Sequence, residues 1–166
     1  MCNASRCLRA DRSSPAVNAA DLRLVAPWND AWTNLVFLDG HFAGYLSNLS
    51  NLENGAGQIT VTNLADAIAS GNPDVQSQLA KHADTDDDGF TALNTAFLRD
   101  GAFVNIPAGR IADAPVHLIF ATTGQFEHAA SYPRTLLLAG ANSRVTVLES
   151  YVSLAKAPYF TNAVTE

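Results

Sequence analysis

The chain has 166 residues, 48% of them apolar and 16% charged, with 16 acidic against 10 basic side chains and a net charge of −6. That is enough chain to bury a core of its own. The acidic balance argues against a protein that tracks nucleic-acid phosphates or anionic membrane surfaces, since both need clustered Lys and Arg. No apolar run approaches the roughly 18 residues of a membrane span. Arg6, Arg9 and Arg12 are followed by no apolar stretch of a secretory signal, and a cytoplasmic protein with neither nucleic-acid nor membrane partners is expected.

Residues 1–33 read as a polar, flexible leader without periodic patterning, order beginning near Trp28 and Trp32. Cys2 and Cys7 lie in it. Two thiols with no third or fourth ligand nearby read as free cysteines rather than as a metal or redox pair.

A small N-terminal α/β region, residues 34–100, follows. Residues 34–38 (NLVFL) form a strand signal, and Asp39-Gly40 calls for a tight hairpin turn whose return strand starts at His41-Phe42. Residues 47–57, rich in Ser, Asn and Gly, read as loop. Three short helices come next. Asn63 caps the first, which runs to Ala69 with Gly71 as its stop. Asn72-Pro73-Asp74 opens the second, expected to end near Ala83. The third covers about 89–99, where Phe90, Leu93, Asn94 and Phe97 have the spacing of one helix face.

From residue 101 short apolar runs recur at 102–106, 116–122, 135–139, 144–152 and 159 onward, separated by Pro- and Gly-bearing turns. That is an all-β pattern: sandwich, barrel or β-helix. Val116, Leu118 and Phe120 alternate with His117, Ile119 and Ala121, so that strand is covered on both faces.

The sharpest local motif is Asp84-Thr85-Asp86-Asp87-Asp88-Gly89, which opens like an EF-hand calcium loop. Its ninth position is Ala92 and its twelfth Thr95, where a ligand and a bidentate Glu belong, and the helix pattern starts at the glycine. The acids read better as an N-terminal cap. His41 and His82 stand alone. His117, His128, Glu127 and Glu149 fall in the β region and could meet across strands as an acid/base pair or metal site, though no HxH or HExxH spacing supports it. A cupin-like metal barrel lacks the clustered histidines it needs. No phosphate loop and no GxSxG elbow occur. A β-helical carbohydrate-active protein would need a carboxylate pair, and the β region offers only Asp113, Glu127, Glu149 and Glu166. No catalytic, cofactor-binding or metal residue is assigned, and the chain does not read as an enzyme.

Residues 90–107 (FTALNTAFLRDGAFVNIP) resemble the entry segment of the SufB/SufD family, and further segments follow in order. Pro115-Val116-His117-Leu118 resembles a "PiHL" rung, and Ser131-Tyr132-Pro133-Arg134 an "SHPR" turn, with Tyr132 in place of the usual His. Residues 145–154 (VTVLESYVSL) and 159–166 (YFTNAVTE) are similar to later strands. Upstream, residues 34–47 resemble the "lVFvNG-f---lS" hairpin and 63–68 the "sLaeAl" helix. Only the leader is unmatched. The ALNTAF stretch and Tyr132-Pro133-Arg134 look most like SufD.

The resemblance implies a mainly β fold, a right-handed parallel β-helix whose first rungs are residues 101–166, present here in part. It implies a non-catalytic scaffold subunit of the SUF iron–sulfur cluster assembly complex, partnered by a SufB-like subunit and a SufC-like ATPase. Cluster and ATP are expected only at the level of that complex, with no cofactor bound by this segment. The family's cluster-forming residues lie late in the β-helix, beyond residue 166. On this reading the chain is the N-terminal part of a longer protein. A calcium-binding module using residues 84–89 and a β-helical carbohydrate-active protein are the alternatives.

Overall fold

The structure, a computed structural model, describes residues 17–49, 58–86, 88–125 and 129–166. The first described element lies where the sequence showed only leader. Helix α1 (Ala19–Val25) is opened by a capping box: Asn18 accepts from the amides of Ala20 and Asp21, and Asp21 accepts in return from the Asn18 amide. Its seven residues are too few to hold a helix alone in water. What holds them is Leu22, fully buried against Val36 and Ile119. A seven-residue helix with one inward leucine leaves almost no periodic trace, which is why the flexible-leader reading fails over this stretch.

Strand β1 (Thr33–Leu38) turns back into β2 (His41–Phe42), with Phe37 opposite Phe42. Asp39 and Gly40 take φ values of +48° and +83°, the left-handed conformations that a two-residue hairpin needs. A 3-10 turn at Gly44–Leu46 follows, then β3 (Thr60–Asn63), which the sequence reading had not separated from its surroundings.

Helix α2 (Leu64–Ala69) follows directly, but Asn63 does not cap it with its side chain. Asp100 does so from 37 residues downstream. Its Oδ1 accepts from the amides of Ala65 (3.0 Å) and Gly101 (2.8 Å), while Oδ2 accepts from Phe42 (3.1 Å). Helix α3 (Pro73–Gln78) starts as expected, with Asn72 accepting from Asp74 and Val75. It stops short of Ala83. Ala80 has φ +59°, and the Glu166 carboxylate takes the amides of Ala80 and His82 away from helix geometry.

Helix α4 (Gly89–Phe97) is capped by Asp88, which accepts from Phe90 and Thr91. It is rotated relative to its predicted face: of Phe90, Leu93, Asn94 and Phe97 only Asn94 is fully buried. Thr91 and Asn94 are buried, whereas Phe90 and Phe97 are 63% and 54% exposed.

The remaining strands are β4 (Gly101–Ile106), β5 (Val116–Thr122), β6 (Ala129–Ser131), β7 (Arg134–Ala139), β8 (Val147–Ser153), β9 (Tyr159–Thr161) and β10 (Val164–Thr165). Every pairing among them is parallel: β4 with β7 and β7 with β10, β5 with β8, and β6 with β9. Two older strands close these ladders on one side. β1 joins β5 in parallel, and β3 joins β4 antiparallel, giving sheets ordered β2-β1-β5-β8 and β10-β7-β4-β3. Residues before and after position 100 thus share both sheets.

Alternation along the strands builds the layers. Leu35, Phe37, Ala102, Val104, Ile106, Leu118 and Phe120 fill the space between the two sheets. Ile119 and Ala121 meet α1 on the outer face of the first sheet. Phe103 and Leu136 meet Leu64, Ala67 and Val75 of α2 and α3 on the outer face of the second. Gly101 is needed where it stands, because a Cβ there would fall 1.8 Å from the Arg134 carbonyl oxygen of the neighbouring strand.

Candidate functional site

Of the side chains singled out above, Cys2, Cys7, Asp87, Glu127 and His128 lie outside the described residues. In the acidic run, Asp84 turns its carboxylate to the Asp86 amide and Asp88 caps α4. The Asp88 carboxyl is held below its ordinary range, first by the hydrogen bond from the Thr91 hydroxyl and then by the Phe90 and Thr91 amides. These groups serve the backbone. Among the described residues, no three of His, Cys, Asp and Glu come together as a metal-sized cluster.

His117 and Glu149 are on adjacent strands but do not meet. Glu149 is the register partner of Leu118, and His117 that of Leu148, so they project from opposite faces of the sheet. Glu149 accepts from the Tyr151 hydroxyl (2.9 Å) and the Thr165 hydroxyl (2.9 Å) at the outer edge of the ladders. His117 is fully buried. Its Nε2 lies 2.8 Å from Ser150 Oγ, the Trp32 ring packs edge-on against it at 5.7 Å, and burial lowers its pKa. His41 stands exposed at the hairpin, and His82 pairs with Gln78.

The most elaborate polar constellation had not been anticipated. Arg134, at the start of β7, has a side chain 1% exposed, and that of Glu166 is 0% exposed. The guanidinium donates from Nε to Glu166 Oε1 (2.9 Å) and from Nη1 to Asn94 Oδ1 (3.2 Å). Nη2 lies 2.9 Å from the same Glu166 oxygen, an ionic contact off the hydrogen-bond direction. Burial pushes the Glu166 carboxyl up. The Ala80 amide, the Arg134 guanidinium and the His82 amide together outweigh it, and the pKa ends below its ordinary value. Asn94 continues the network to the carbonyls of Pro133 (3.0 Å) and Asn162 (2.8 Å), and Asn162 donates to the Phe90 carbonyl (2.8 Å). The two charges are paired with each other, and of the guanidinium nitrogens only Nη2 lacks a directed hydrogen bond. The knot ties α4, the α3–α4 connection, β7 and β10 together and leaves no group free to transfer a proton or hold a ligand. The one sequence signal for it was an arginine opening a largely apolar run (RTLLLA).

The surface offers a cleft of about 190 Å³ between the hairpin turn and Tyr132, with Phe97 and Arg99 in its walls. Phe97 stacks on Tyr132 at 5.1 Å, and Tyr132 meets Phe160 edge-on at 6.3 Å. No described helix is long and apolar enough to cross a membrane.

Residues 31–118, more than half of the chain, match the family described as SufBD protein N-terminal region. The chain is also 34% identical over 145 residues to an iron–sulfur cluster assembly SufBD family protein of Synechocystis. That alignment takes in 81% of this chain and 30% of the relative, so the chain spans about three-tenths of the relative's length. The chain belongs to the SufBD family.

Proposed function

We propose that this chain acts in iron–sulfur cluster assembly as part of a SufD-type scaffold, non-catalytic in itself, cytoplasmic, and partnered by a SufB-like subunit and a SufC-like ATPase. The family match carries the reading, and the name borne by the Synechocystis relative agrees with it. The resemblance to SufD in the ALNTAF and Tyr132-Pro133-Arg134 segments supports the finer assignment. Cluster and nucleotide belong to the whole complex and not to this segment.

The fold proposed with it is the beginning of a right-handed parallel β-helix. Its support is the ladder pattern. The chain visits β4, β5 and β6 in turn, then lays β7, β8 and β9 parallel to them in the same order before returning with β10 to β7. Such stacking lets each circuit bury its inner side chains and pair its backbone on the one before. The calcium alternative suffers from Asp84 and Asp88 being spent on backbone amides. The carbohydrate-active alternative suffers from Glu149 and Glu166 being engaged elsewhere.

The test is to tag the protein at its own locus and identify what co-purifies. SufB-like and SufC-like subunits in stoichiometric amounts, with loss of iron–sulfur enzyme activities on depletion, are the expected results. A protein that purifies with neither subunit, and whose depletion leaves those activities intact, overturns the proposal.

A further inference from the structure

Asn34 and His117 form a buried polar pair that none of the roles above uses. They are direct register partners on the parallel strands β1 and β5, and both are 0% exposed. Strand alternation puts both side chains on the outer face of the sheet, with Val36 and Ile119, beside one another. The Asn34 amide group is oriented unambiguously. Its Nδ2 donates to the Asn29 carbonyl (2.9 Å) and the Trp32 carbonyl (3.1 Å), so the other atom must be the oxygen. That oxygen has no donor, and the His117 Nδ1 has no partner either. The imidazole is anchored through Nε2 to Ser150 and covered by Trp32.

Two buried atoms without partners on register-paired side chains, one a fixed acceptor, are an expensive arrangement in a closely packed face. We infer that they share one bound water molecule, held between Asn34 Oδ1 and His117 Nδ1. Water suits both neutral forms of the ring. With the ring proton on Nε2, the water donates to Nδ1 and to Asn34 Oδ1, and Nε2 donates to Ser150 Oγ. With the proton on Nδ1, the water accepts it and donates onward to Asn34, while the Ser150 hydroxyl donates to Nε2. A metal ion is a poor fit, because the pair offers one neutral nitrogen and one neutral oxygen, and among the described residues no metal-sized cluster of His, Cys, Asp and Glu forms. The water completes the hydrogen bonding of the sheet face at the N-terminal ends of β1 and β5, and it makes Asn34, His117 and Ser150 one connected unit across three strands.

The test uses the intact chain. A crystal structure fine enough to show ordered solvent should place one water oxygen at ordinary hydrogen-bond distance from both atoms. In solution, the His117 Hε1 proton should give a nuclear Overhauser cross-peak to water with the sign of a long-lived bound molecule. That peak should be lost in His117→Phe, whose ring offers the water no acceptor. Direct contact between Nδ1 and Oδ1, or apolar side chains with no solvent between the two atoms, overturns the inference. So does a His117→Phe protein that folds and keeps an equivalent water signal on its ring. If that variant fails to fold, the wild-type crystal structure decides alone.

Discussion

The outer faces of the two four-stranded sheets both bury polar side chains, and they satisfy them by different means. On the sheet containing β7 the buried group is a charge, and partners converge on it from four places in the chain: Asn94, Glu166, and through Glu166 the amides of Ala80 and His82. On the sheet containing β5 the buried groups are neutral, and two atoms remain without protein partners. A guanidinium in a water-free layer is tolerable only with a counter-charge and directed acceptors. An imidazole can stay neutral and take what its strand neighbours offer. The first face should therefore depend steeply on single side chains, and the second should be forgiving.

The largest effect is expected at Arg134. Replacing it with Ala leaves the Glu166 carboxylate buried without its counter-charge and the Asn94 carbonyl oxygen without its donor, at a cost of about 3–5 kcal/mol in urea unfolding. The double replacement Arg134→Met and Glu166→Gln should cost much less than the two single changes added together, because it removes both charges. Additive losses would show that the pair does not act as a unit.

Next comes Leu22→Ala, at about 2–4 kcal/mol, since Leu22 is fully buried between α1 and the β1–β5 face. A loss below about 0.5 kcal/mol would restore the reading of this segment as a leader without structural weight.

Acid separates the two faces by pH rather than by size. His117 has its pKa lowered by burial. Below about 6.5 the unfolded chain therefore binds a proton that the folded chain resists, and stability should begin to fall in that window. Glu166 also has a lowered pKa, so its contribution is fully present above about 4.5 and is lost as pH drops through the folded value. Unfolding followed from neutral to acid pH should show two successive losses, and His117→Phe should remove the earlier one only. A single loss confined to the carboxylate range would mean that His117 is protonated as easily folded as unfolded.

Much of the architecture was legible because its causes are local. The Asp39-Gly40 turn, the Asn72-Pro73-Asp74 helix start and the apolar runs of β4, β5 and β7 state their geometry in adjacent residues. What escaped depends on distant ones. The α4 spacing of Phe90, Leu93, Asn94 and Phe97 marks one helix face, but of these only Asn94 is fully buried, its partners Pro133 and Asn162 lying 39 and 68 residues away. The partners that bury Arg134 lie 32 and 40 residues from it. Their shared place in the β region suggested that His117 and Glu149 could meet, whereas a difference in strand parity sends them to opposite faces.

The smallest predicted effect tests this contrast between local and distant causes most sharply, at two of the helices preceded by Asn, α2 and α3. In α3, the Asn72 side chain accepts from two amides, so Asn72→Ala should cost about 1 kcal/mol. In α2, Asn63 occupies the same position, yet it makes no capping bond, and its Oδ1 is buried without a partner. Its Nδ2 reaches Asp100 only at 3.5 Å. Asn63→Ala removes an unsatisfied acceptor along with that long contact, and the two nearly cancel, leaving a change within about 0.5 kcal/mol. Asp100→Ala should cost more than either, since it strips donors' partners from Ala65, Gly101 and Phe42 at once. Urea unfolding of the three variants side by side gives the ranking. If Asn63→Ala proves as damaging as Asn72→Ala, the cap of α2 is local after all, and Asp100 is only a neighbour.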